Sequence, residues 1–159
     1  MAIEAPVSKF RKTNFKIYIG ICILAAVVFA YDGYLSKYKW SMRYSFYKKE
    51  VLDNDGKPTH TMIFNRKSPP FFLAGAAFFA FFLYLIKDQK LIADENELII
   101  NNKKRIPYDT IQQIDKTYFE KKGFFIISCN GNNQARIKLS NRKYDNLSAV
   151  LEHLVAKIS

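Results

Sequence analysis

The sequence predicts an α+β chain: a hairpin of two apolar helices, then a small split β-barrel or sheet capped by a C-terminal α-helix. Three observations lead there. The run Pro69 to Ile86 holds eighteen residues and no charge, and as a helix it covers about 27 Å, close to the hydrocarbon thickness of a bilayer. A second apolar run, Phe15 to Tyr31, precedes it. From residue 88 onward, short apolar stretches alternate with turn residues and end in an amphipathic helical pattern.

The chain has 159 residues, room for one small domain beside a membrane anchor. Many of its 14 Phe and 10 Tyr sit in or beside the apolar runs, as in membrane cores and their interfacial belts. The net charge of +11 is dispersed: four basic and one acidic residue in 1–16, eight and four in 32–68, thirteen and nine in 87–159. With no polybasic tail, nucleic acid is not an expected partner, and membrane lipid is. Cys22 and Cys129 have neither a partner nor metal-ligand spacing, so no disulfide, metal or cofactor site is expected.

Residues 1–14 read as a basic N-terminal tail without periodicity. Residues 15–35 read as the first transmembrane helix, in which Lys16 snorkels at one end and Gly33-Tyr34-Leu35 extends the other. The rival reading is a secretory leader with Val28-Phe29-Ala30 as its cleavage site. Residues 69–86 read as the second span, stopped by Arg66-Lys67-Ser68 on one side and Lys87-Asp88 on the other. Cys22, Ala26 and Ala30 recur every four residues on the first helix, as Ala76 and Ala80 do on the second. Small residues at that interval let helices approach closely in lipid, so these five are the expected packing face. The phenylalanines Phe71, Phe72, Phe78, Phe79, Phe81 and Phe82 would then face lipid or a partner subunit. No Asp, Glu, His, Lys or Arg lies within Ile17 to Tyr31 or Pro69 to Ile86, which disfavours transport.

Residues 36–68 form an aromatic and basic inter-helix segment. Tyr38, Trp40, Met42, Tyr44 and Phe46 alternate with Lys39, Ser41, Arg43 and Ser45, the period of a half-buried strand. Asp53-Asn-Asp-Gly-Lys-Pro58 has strong turn chemistry, after which Thr59 to Asn65 pairs back as the second strand of a β-hairpin. An interfacial helix continuing the first span is the alternative. In either form Tyr34, Tyr38, Trp40, Tyr44 and Tyr47 suit the headgroup layer, where an aromatic ring is half wet.

Residues 88–159 read as a separate domain. Lys90 to Ala93 and Glu97 to Ile100 are strands around a polar bend, Asn101-Asn-Lys-Lys-Arg105 is a basic hairpin tip, and Ile106 to Ile114 returns to strand with Pro107 at an edge. Gly123 to Cys129 and Gln134 to Leu139 pair across an Asn130-Gly-Asn-Asn133 turn. Leu147, Val150, Leu151, Leu154, Val155 and Ile158 fall on one face of a closing helix, with Asp145 as its N-cap.

This strand order, with the Ile106-Pro-Tyr-Asp-Thr-Ile111 element and the preceding helical hairpin, resembles the bacterial pleckstrin-homology-like membrane proteins. The resemblance covers about residues 88–159 and leaves 32–68 unaccounted for. It implies a split barrel capped by a helix, usually cytoplasmic, serving as a scaffold or interaction module rather than an enzyme.

His60 and His153 read as solvated, and no phosphate loop, nucleophile elbow or metal cluster is present in the sequence. Lys103, Lys104 and Arg105 form the one charge cluster that could meet a lipid headgroup. Basic residues near the membrane ends are close to balanced between the two sides, and the domain's unpaired Cys129 favours both termini in the cytoplasm of a bacterial inner membrane. The expected role is therefore a non-catalytic integral membrane accessory or scaffold subunit that docks onto other membrane protein subunits. The alternative is a membrane-surface adaptor that binds anionic lipid through the basic tip.

Overall fold

The computed structural model describes residues 2–130 and 136–158. The chain divides into two compact units: Met1–Asn14 with Tyr84–Ser159, and Phe15–Leu83.

The first unit is a β-domain built from both ends of the chain. Strand β1 (Ile3–Pro6) pairs antiparallel with β2 (Lys90–Ala93), placing Ile3 opposite Ala93 and Pro6 opposite Lys90. Strands β3 (Glu97–Ile100) and β4 (Lys104–Pro107) complete a four-stranded sheet in the order β1-β2-β3-β4. A second sheet holds β5 (Ile111–Asp115), β6 (Phe124–Cys129) and β7 (Arg136–Ser140) in sequence order. The short helix α5 (Phe119–Lys122) connects β5 to β6, and helix α6 (Leu147–Ile158) closes the domain.

Period-two alternation decides what these strands bury. Leu91 and Ala93 point inward from β2, Leu98 and Ile100 from β3, and Phe125 and Ile127 from β6. Helix α6 meets them with Leu147, Val150, Leu151 and Leu154, a stripe at helical spacing. Each fully buried large apolar side chain stabilises by about 1.5–3 kcal/mol.

The N-terminal stretch is thus no tail. Ala5 and Val7 are buried and alternate with exposed Glu4 and Pro6, a pattern too short to stand out from sequence. Pro6 is tolerated because β1 is the sheet's edge, where a missing N–H costs no ladder bond. Asp145 is not the cap of α6 either. That helix starts at Leu147, behind an Asn146 in the left-handed region (φ 57°), and the Asp145 carboxylate accepts from the Lys9 N–H at 3.0 Å. The basic tip also shifts. Left-handed Asn101 and Asn102 make the turn, while Lys104 and Arg105 belong to β4. The expected Asn130–Asn133 turn lies largely outside the described residues.

The second unit holds helices joined by turns and no strand among the described residues. Helix α1 runs Lys9–Ala30 and continues as one π-helical turn, Tyr31–Leu35. Helices α2 (Tyr44–Glu50) and α3 (His60–Lys67) occupy the inter-helix segment, and α4 spans Pro69–Ile86. Lys9–Leu35 and His60–Ile86 are each 27 residues, long and apolar enough to cross a membrane.

The β-hairpin expected from the alternation at 38–46 does not form, and residues 36–43 are turns leading into α2. The alternation sorts no faces: Tyr38, Trp40 and Met42 are exposed along with Lys39 and Arg43. A lone two-stranded hairpin is marginal without a third strand or a packing partner, whereas a helix satisfies its own backbone. The Asp53–Pro58 turn survives as a helix-to-helix connection, with Asp55 and Gly56 at positive φ. Thr59 caps α3 by accepting from the Met62 N–H and donates its hydroxyl to Glu50.

Candidate functional site

Two consecutive prolines shape the end of the hairpin where α3 meets α4. Pro69 and Pro70 lack the N–H groups that would bond to the carbonyls of Asn65 and Arg66 four residues earlier. The first helix meets the freed carbonyl of Arg66 and takes a bond from its side chain in return. Tyr34 donates its hydroxyl to the Arg66 carbonyl at 2.7 Å, and the Arg66 Nε donates back to the Gly33 carbonyl at 3.0 Å. Gly33 lies so close that a Cβ there would stand 2.8 Å from the Asn65 oxygen. Position 33 therefore requires glycine for proximity.

A charged pair sits on the same turn. Arg43 donates from Nε and Nη2 to both carboxylate oxygens of Asp32 at 2.8 and 2.9 Å, a bidentate fork. That hydrogen bonding, and then the charge of Asp32, pushes the Arg43 guanidinium above its ordinary pKa. Ser36 donates to the Asp32 carbonyl, and Ser41 hydrogen-bonds the Tyr31 hydroxyl at 3.1 Å. Around this polar knot the aromatics face outward. Trp40 stacks on Tyr38 at 5.6 Å, Lys37 lies over the Tyr38 ring, and Tyr44 and Tyr47 lie 6.3 Å apart and half-buried. Of the five aromatics expected to be interfacial, Tyr34, Tyr38 and Trp40 are exposed.

Between α1 and α4 the small residues divide. Ala26 and Ala76 are buried, Cys22 and Ala30 are half-buried with the Cys22 sulfur 3.6 Å from where a Gly75 Cβ would lie, and Ala80 is exposed. Rings fill the rest of the seam, with Phe29 stacked on Phe72 at 5.3 Å and Tyr18 against Phe79 at 5.4 Å. Phe72 and Phe79 thus pack inside the hairpin, against expectation, while Phe71, Phe78 and Phe81 are more than half exposed.

The β-domain holds its titratable groups in structural bonds. Tyr108 donates to the Asp94 carbonyl at 2.7 Å, and burial, with the charges of Asp94 and Glu97, pushes its phenol up to about 12. His153 Nε2 lies 3.0 Å from the same carbonyl, whereas His60 is exposed. Burial raises the Cys129 thiol, with Lys104 opposing, and lowers the Lys143 ammonium, with Arg11 adding to the effect. Of the basic trio, Arg105 pairs with Glu97 at 3.1 Å, so Lys103, Lys104 and Arg105 do not converge as three free charges. Among the described residues no three His, Cys, Asp or Glu side chains gather as a metal site.

Sequence reading missed the Tyr34–Arg66 and Arg43–Asp32 contacts. The available signal was Pro69-Pro70, which marks two orphan carbonyls four residues back.

The fold and its contacts define a class: an α+β protein whose pair of long apolar helices is inserted between the first and second strands of an antiparallel β-domain. Compared with known protein families, curated proteins and solved structures, the chain matches none.

Proposed function

We propose that the chain is a non-catalytic integral membrane accessory subunit, whose helical hairpin crosses the inner membrane and whose β-domain lies in the cytoplasm. One observation carries this reading. Ile21, Leu24, Val27, Phe71, Phe78 and Phe81 are each more than half exposed on the two long apolar helices. Apolar area of that extent is stable in lipid or against another apolar helix and not in water.

The insertion point supports the topology. Because β1 and β2 flank the helices and pair with each other, both ends of the hairpin must emerge on one side of the bilayer. The four-plus-three strand count with a closing helix supports a pleckstrin-homology-like domain whose first strand precedes the spans. On this reading the wide Phe-bearing faces dock a larger assembly, and the β-domain serves as its cytoplasmic scaffold.

The test is a carbonate wash of membranes from expressing cells, then native electrophoresis of a mild-detergent extract. The chain is expected in the pellet and in a band well above its own mass. Recovery in the supernatant defeats the membrane reading, and a band at the monomer's mass defeats the accessory role.

A further inference from the structure

The β-domain carries a cationic cleft that the basic trio at 103–105 does not reach. Lys121 and Lys122 end α5, Gly123 reverses the chain at φ 66°, and β6 then pairs with β7 so that Phe124 faces Ser140 and Ile126 faces Lys138. Directly opposed residues share a face of the sheet, so Phe124, Lys138 and Ser140 stand together. Arg142 follows in the turn after β7. These residues enclose a cavity of about 400 Å3 with no carboxylate in its wall.

Two of the four cations are held over aromatic rings, which leaves their charge in place. The Lys138 ammonium sits 3.7 Å over the Phe124 ring, and that of Lys122 sits 5.1 Å over Tyr118, which itself stacks on Phe124. Among the described residues none of the four forms an ion pair, whereas Lys90 and Arg105 of the other sheet pair with Glu4 and Glu97. Aromatic faces attract a cation without cancelling its charge. Four like charges around one cavity with a serine hydroxyl match an anion rich in acceptor oxygens.

The loop that carries Arg142 also names the source of that anion. Ser8 donates its hydroxyl to the Arg142 carbonyl at 2.7 Å and its N–H to the Lys143 carbonyl at 3.0 Å. Ser8 immediately precedes α1, whose first turn adds Lys9, Arg11 and Lys12, and whose uncharged run starts at Ile17, about two turns further on. The geometry points to a phosphate site filled by the headgroup of an anionic phospholipid, an inference that rests on the membrane reading above.

The full chain, purified in an uncharged detergent, is titrated with dihexanoylphosphatidylglycerol, with dihexanoylphosphatidylcholine and with inorganic phosphate. Phosphatidylglycerol is expected to bind tightest, and more weakly as salt rises. One lost charge near anionic lipid weakens binding about fivefold, so the K121Q/K122Q/K138Q/R142Q chain should bind about six-hundredfold more weakly. The single exposed change Lys138→Gln, which leaves the core untouched, should show its own share, about fivefold. K103Q/K104Q/R105Q should bind as the unaltered chain does. Equal affinity of the quadruple and unaltered chains overturns the site, as does equal binding of the two lipids. Inorganic phosphate binding as tightly as phosphatidylglycerol overturns the lipid source and leaves a soluble phosphate ligand. A chain that pellets after carbonate washing yet ignores phosphatidylglycerol refutes this site and leaves the membrane reading standing.

Discussion

The hydroxyl of Tyr34 donates to the carbonyl of Arg66, the group that Pro70 leaves without its helical donor. A phenol from one helix thus replaces a backbone N–H in the other. Tyr34→Phe keeps the ring and removes the bond. A net loss of about 1 kcal/mol is expected, read as a lowered thermal midpoint in mild detergent. An unchanged midpoint would mean that water or lipid satisfies the carbonyl equally well.

Gly33 tests the same junction by volume rather than by bonding. A Cβ at this position meets the Asn65 oxygen at 2.8 Å, and that oxygen belongs to backbone that cannot turn aside. Gly33→Ala should therefore destabilise by about 1–3 kcal/mol, the usual cost of overpacking. Gly20, where a Cβ would meet nothing within 4 Å, is the control, and Gly20→Ala should be neutral or slightly stabilising. Equal effects at the two positions would refute a close approach of α1 to the α3 terminus.

Much of this architecture was legible from residue pattern, and the exceptions share a cause. The two apolar helices show as long uncharged runs and α6 as a stripe over twelve residues, while the four-residue strands β2 and β3 show because they adjoin each other around a polar bend. Strand β1 has only four residues, and its partner lies more than eighty positions away, so neither length nor proximity betrays it. The alternation at 38–46 misled because period two predicts a strand only where a sheet exists to receive it. The cationic cleft was invisible for a different reason: Lys121, Lys122, Lys138 and Arg142 are scattered in sequence, and the β6–β7 register assembles them.

Tyr108 sets an alkaline limit on the β-domain. Its folded phenol is pushed up to about 12 from an ordinary value near 10, so the folded state prefers the neutral form. Below pH 10 both states keep the proton and the preference has no effect on stability. Between pH 10 and 12 the unfolded chain ionises first, and stability is lost as pH rises. Unfolding midpoints of the full chain and of Tyr108→Phe, compared across that window, should converge as pH rises, because phenylalanine removes this one titration. Parallel curves would show that Tyr108 titrates alike in both states.

Asp145 joins the two ends of the domain by a charge on a helix dipole. Its carboxylate accepts from the Lys9 N–H at 3.0 Å while Ser8 Oγ accepts from the Arg11 N–H at 3.2 Å, so two orphan donors of α1 are satisfied at once. The backbone N–H of the same Asp145 donates to the Pro6 carbonyl at 2.9 Å, which ties β1 to the loop before α6. Replacing the side chain leaves that second bond intact, so Asp145→Ala isolates the cap. A loss of about 0.5–2 kcal/mol is expected, with Asp145→Asn recovering part of it because an amide oxygen still accepts but carries no charge. Hydrogen exchange should localise the effect: the amides of Lys9 to Lys12 should lose protection in Asp145→Ala while those of α6 keep theirs. Loss of protection in α6 instead would return Asp145 to the role its position in the sequence first implied, as the cap of the closing helix.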